Sequence, residues 1–236
     1  MPTAISHYWE QSDQFGHLIA YLLLLMSIVS WTLLLSKAWF FLRMRRASAI
    51  LPHFWAAPGL PEALALLSEA DSEVIFIRLA TSAAEVADVT PATPSSGLFV
   101  SLGAGTSVEA LLTRQLRQEL QALTTRLESG LSILASVAAT APFVGLLGTV
   151  WGIYHALTAI SATGTIQIDQ LAGPVGEALI MTAFGLMVAI PAVLAYNGLS
   201  RRCRIVLAEL DGFAHDLHAH FSQASNHGGR AGSRVL

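Results

Sequence analysis

Charge is what this chain has least of. Charged residues make up 12% of its 236, roughly half the share of an average soluble domain. No Asp, Glu, Lys or Arg occurs between Gln14 and Ser36, between Ser129 and Ile168, or between Ala178 and Ser200. Cysteine is nearly absent: Cys203 stands alone, which excludes an intrachain disulfide and a cysteine-rich metal site. Met1 to Ser36 holds no Lys or Arg and no small-residue cleavage pattern follows. The opening of a secretory signal peptide is therefore missing, and the first apolar run is expected to stay in the mature protein. No basic patch interleaved with aromatics points to nucleic acid.

Each uncharged gap reaches the roughly 20 residues that a membrane-crossing helix requires. Three spans are predicted, at 18–40, 131–157 and 174–199. Around them lie an N-terminal segment 1–17, a helical region 41–130, a loop 158–173 and a tail 200–236. Of the 13 basic residues, eight fall from Lys37 to Arg126 and five from Arg201 to Arg234. By the positive-inside rule those segments face the cytoplasm, so the N-terminus and the loop around Asp169 face outward. The predicted fold is an all-α membrane protein with three transmembrane helices and long cytoplasmic extensions, oligomerising around a central pore.

Within 41–130, Pro61 and Glu62 open a helix in GLPEALALLSEA. TPATPSSGLFVSLGAGTS reads as a loop. Thr106 and Glu109 form a capping-box pattern, followed by Leu112, Leu116, Leu120, Leu123, Leu127, Leu131 and Leu134 at spacings of three and four. With Gly130 as the strongest breaker, one helix is expected to run from this stripe into the second span. The stripe is either the buried face of an amphipathic helix or a subunit contact. These extensions leave no room for a separate catalytic domain, so no enzyme activity and no cofactor are expected. The third span is expected to continue for about twenty residues and end in the polar, disordered stretch SQASNHGGRAGSRVL. His215, His218 and His220 do not share one helical face, so no metal site is expected there.

Small residues recur along the second span at Ala138, Ala141, Gly145, Gly148, Gly152 and Ala156, and along the third at Ala178, Thr182, Gly185, Ala189 and Ala192. In lipid such residues mark close helix packing. Two seams on three helices favour a homo-oligomer, with a monomer that uses both seams internally as the alternative. Pro142 and Pro191 each free a carbonyl four residues earlier, which suits a pore wall better than a plain anchor.

Three polar residues stand out. Glu177 is placed three residues past Pro174 in the first helical turn, where it reads equally as a helix cap and as a pathway carboxylate. Thr182 lies five residues deeper, and Thr149 lies near the bilayer middle on the helix expected to pack against it. A threonine in such a helix either bonds back to the carbonyl four residues earlier or relays a proton by donating and accepting at once. With Glu177 at the edge no titratable group sits at mid-depth. Protons could cross only if another protein supplied the acid.

The blocks APFVGLLGTVWGI and AGPVGEALIMTAFGLMVAIPAVLAYN resemble the signature of the ExbB/TolQ/MotA proton-channel family, and SIVSWTLLLSK resembles the ExbB branch of it. The resemblance implies a pentamer in the Gram-negative inner membrane, N-terminus periplasmic and C-terminus cytoplasmic, with the second and third helices lining a pore. It further implies an ExbD-like single-span partner inside that pore, whose aspartate exchanges protons beside Thr149 and Thr182, and a TonB-like protein energised for uptake of siderophores. The family's glutamate falls on Glu177. A TolQ-type role in envelope integrity is the runner-up, and a non-conducting oligomeric scaffold is the alternative of a different class.

Overall fold

A computed structural model describes residues 14–88, 108–163 and 168–232; the side chains of 45, 46, 88, 159–163, 168–172, 177 and 224–232 lie outside the description. The described chain is almost wholly helical, with no strand among the described residues. Six helices follow in order: α1 (Gln14–Ala56), α2 (Leu60–Ala70), α3 (Phe76–Asp88), α4 (Val108–Glu128), α5 (Leu131–Thr163) and α6 (Ile168–Gly232). Helix α1, the α4–α5 run and α6 each contain a stretch long and apolar enough to cross a membrane.

The chain divides into two units, 1–38 with 130–200 and 39–129 with 201–236. In the first unit, the described part of α1 packs with α5 and α6 around Ile19, Leu23, Ala141, Met181 and Ala189. The outer faces are strongly apolar and open: Leu18, Leu35, Phe143, Leu147, Val150, Met187 and Leu194 are all exposed. Such a surface is stable only against lipid or further protein.

In the second unit the leucine stripe finds its partner. Leu112, Leu116, Leu123 and Leu127 are buried on α4. Arg78 of α3 donates to Glu119 of α4 at 2.6 Å. Phe213 of α6 sits at the centre of an aromatic group, with ring centres 5.3 Å from Phe54, 5.7 Å from Phe76 and 5.9 Å from Trp55. The stripe is thus the buried face of an amphipathic helix, satisfied inside one chain. Helix α2 starts where Pro61 and Glu62 direct, with Gly59 as its N-cap. Asp71 then turns the chain into α3, its carboxylate accepting from the N–H groups of Ile75 at 2.7 Å and Ile77 at 3.0 Å. His218 meets the Thr113 hydroxyl at 3.0 Å and His220 lies against Trp55. No His, Cys, Asp and Glu cluster able to hold a metal ion occurs among the described residues.

Three boundaries differ from the sequence reading. The helix does not run unbroken through Gly130: α4 ends at Glu128 and α5 starts at Leu131, with Gly130 at φ 79°, a left-handed conformation that glycine adopts without strain. Helix α6 begins at Ile168, so Pro174 lies inside the helix rather than at its start. It also continues to Gly232, well into the polar stretch 222–236 expected to be disordered. The TPATPSSGLF loop and Thr106 lie outside the described residues.

Candidate functional site

The site is built by close approach of α5 and α6, which their glycines permit. A Cβ placed on Gly145 would lie 2.6 Å from the Met181 carbonyl, and one on Gly185 would lie 2.7 Å from the Ala141 carbonyl. Gly152 abuts Ala178 in the same way, its Cβ position 2.9 Å from the Ala178 Cβ, and Gly148 lies against Met181 and Ile19. The two seams expected from sequence therefore pack on each other within one chain. From sequence alone the seams favour a homo-oligomer; because they pack on each other here, they do not by themselves require a second copy. Pro142 and Pro191 lie inside α5 and α6, each removing one backbone hydrogen bond.

This contact brings the two threonine hydroxyls together, 2.5 Å apart. Thr149 is buried, 6% exposed, whereas Thr182 is half-buried. Thr149 Oγ1 also lies 3.0 Å from the Ala178 carbonyl across the helix contact and 3.3 Å from the Gly145 carbonyl of its own helix. The back-bond expected of Thr149 is present but is the longer of the two. Sequence reasoning missed the Ala178 carbonyl as a member of the site. It stands four residues before Thr182, in the position a back-bonding Thr182 would use, and the neighbouring helix's hydroxyl is bound there.

Around Thr182, the side chains one turn away and further along its face of α6 are apolar and exposed: Leu179, Leu186, Ile190 and Val193. A single polar point is framed by hydrocarbon. Trp151, two residues after Thr149 on α5, lies against Phe15 with ring centres 4.4 Å apart and planes tilted by 43°. Glu177 stands on α6, nine residues after its first residue, so it is not in the first turn and the helix-cap reading falls. Its side chain lies outside the description.

A hydroxyl pair thus stands at a glycine-tight contact between two membrane-capable helices. Residues 94–211, half of the chain, match the model of the MotA/TolQ/ExbB proton channel family. The chain belongs to that family. It is 44% identical over 204 residues to the biopolymer transport protein ExbB of Xanthomonas campestris pv. campestris, covering 86% of this chain and 80% of that one. It is 41% identical over 198 residues to ExbB of Neisseria meningitidis, covering 84% and 87%. The Tol-Pal system protein TolQ of Haemophilus influenzae is 30% identical over 202 residues, covering 83% and 84%. Thr149, Thr182, Glu177 and the packing glycines all fall within the matched segment.

Proposed function

We propose that this chain is an ExbB-type proton-channel subunit of the bacterial inner membrane. In this reading several copies, five by analogy with the family, enclose a pore that holds an ExbD-like partner, and proton flow through it energises a TonB-like protein for uptake of siderophores and similar cargo. The N-terminus faces the periplasm and the C-terminus the cytoplasm, as the distribution of basic residues favours. The observation that carries the reading is the half-open hydroxyl pair of Thr149 and Thr182 in an otherwise apolar wall. Thr182 is only half-buried, and the second acceptor site on its oxygen is better met by another protein than by lipid.

The apolar frame of Leu179, Leu186 and Val193 suits an apolar membrane helix better than a column of water. The partner's intramembrane acid, which this chain lacks at that depth, then meets Thr182. Support for the oligomer comes from the family and from the exposed apolar faces of α5 and α6, and no longer from the glycine seams. The identities of 44% and 41% to ExbB proteins against 30% to a TolQ favour the uptake role over Tol-Pal.

The test reconstitutes the chain with an ExbD-like partner in vesicles under a pH gradient. Proton flux above that of empty vesicles is expected; no flux at any pH would favour a non-conducting scaffold. In cells lacking their own ExbB, restored growth on siderophore iron is expected. Restored detergent resistance in cells lacking TolQ, without the growth phenotype, would move the assignment to the Tol-Pal system.

A further inference from the structure

With the leucine stripe of α4 buried inside the chain, the opposite side of that helix is left open, and it is basic. Arg114 and Arg117 are exposed there, and neither has an ion pair among the described residues. They line an open groove of about 630 Å³ together with Glu109, Thr113, Gln118 and Gln121. Thr113 also shows on which side α6 lies, because its hydroxyl meets the His218 ring at 3.0 Å.

Helical geometry turns that one contact into a map of α6, since each residue advances by about 100° and about 1.5 Å. Asp216, two residues before His218, lies about 160° round from the side that meets α4, and Glu209, nine residues before, about 180° round. Both are exposed, and neither has an ion pair among the described residues. Asp211, seven residues before His218, lies only about 20° from the α4 side. The second unit therefore carries a basic flank on α4 and an acidic flank on the far side of α6. Arg114, Arg117 and Asp216 all stand within about 6 Å of the Thr113–His218 level along the helix axes.

Flanks of opposite sign at one level, facing away from each other, are out of reach within a chain but complementary between chains. We propose that they join copies of this chain: Arg114 and Arg117 of one copy receive Asp216 of the next, whose α6 lies along the groove. This rests on the reading above that several copies assemble, and it adds which cytoplasmic surfaces meet. A contact between two different patches is head-to-tail, so every copy keeps one of each to offer and the chain of contacts closes into a ring rather than stopping at two. Exposed ion pairs each contribute little to stability. The apolar membrane faces hold the copies together, and the charges set which flank meets which.

Cysteine pairs in a full-length Cys203→Ser chain test this in native membranes with the ExbD-like partner present, and need no proton flux. Oxidation of Arg117→Cys with Asp216→Cys is expected to give a ladder of disulfide-linked chains that runs past the dimer, because each copy offers one cysteine to either neighbour. Ala122→Cys, about 140° round α4 from Arg117, paired with Asp216→Cys is the control and should give several-fold less product. In a second arm, Arg114→Glu with Arg117→Glu is expected to lower the share of assembled chain several-fold after detergent extraction at low salt, and less at about 1 M salt, where exposed charges are screened. Adding Asp216→Arg to that chain should restore assembly. A ladder that stops at the dimer, product no greater than the control's, or a reversal that Asp216→Arg does not rescue would overturn the pairing. A chain that gives the full ladder and the rescue but passes no protons would uphold the pairing and defeat the proton-channel reading alone.

Discussion

Gly145 of α5 and Gly185 of α6 face each other so closely that a Cβ on either would lie 3.0 Å from the other's Cα. The contact holds the backbone of one helix against that of the other and so sets the distance between the Thr149 and Thr182 hydroxyls one turn away.

Adding a methyl at this point is therefore expected to damage both packing and function. Gly145→Ala and Gly185→Ala each force backbone apart, since the nearest atoms are a carbonyl and a Cα rather than a flexible side-chain end. A cost of about 1–3 kcal/mol is expected from overpacking of this kind. Gly198→Ala is the control, with nothing within 4 Å of its Cβ position. Thermal unfolding of the purified protein followed by tryptophan fluorescence should show a lowered midpoint for the first two and little change for the third.

Glu177 stands too far into α6 to serve as a cap for its first turn. Glu177→Gln is expected to lower proton flux at least several-fold while native mass spectrometry shows the same assembly state as wild type. Dissociation of the oligomer with normal flux per intact complex would assign the residue to assembly instead.

The second unit gives a prediction free of any proton chemistry. Phe213 is buried among Phe54, Trp55 and Phe76. Phe213→Ala should cost about 3–5 kcal/mol through lost burial and the cavity left behind. Denaturant unfolding monitored by circular dichroism should record it, with flux per folded complex unchanged.

Val74 sits at φ 56° and is largely exposed, in the turn between α2 and α3. A β-branched residue is strained there by about 1–2 kcal/mol, and asparagine tolerates the conformation better. Val74→Asn is expected to raise stability by about 1 kcal/mol in the same unfolding assay. A loss of stability would mean that the Val74 side chain makes a contact worth more than the strain.

The three spans were legible because a run without charges is an unambiguous signal, and α2 because Pro61 and Glu62 mark its start. Helix α3 was not read, although Phe76, Leu79, Ala80 and Ala83 are spaced for one buried face. The run EVIFI that leads into its first residues is as rich in β-branched and aromatic residues as a strand, and the turn at Val74 depends on a strained φ that no residue type announces. At the site, the sequence named the glycines and both hydroxyls. It could not say whether the seams would close within one chain or between chains, because small residues serve either contact equally. Nor could it assign the Ala178 carbonyl to Thr149, since that depends on how close Gly145 and Gly185 bring the helices. The start of α6 was misjudged because Pro174 reads as a first-turn proline, whereas here the helix begins six residues earlier.

Cross-linking tests the central claim most directly, because it asks where the partner's acid sits. Cysteine would replace that acid in the ExbD-like partner, and Thr182→Cys, Thr149→Cys or the exposed control Leu194→Cys would be made in a Cys203→Ser chain. A disulfide requires Cα atoms about 4.4–6.8 Å apart. Oxidation in native membranes should join the partner to the chain through position 182, with little product through the buried position 149 and none through 194. A bond formed through 194 or 149 in preference to 182 would place the acid elsewhere and contradict a channel in which Thr182 receives it.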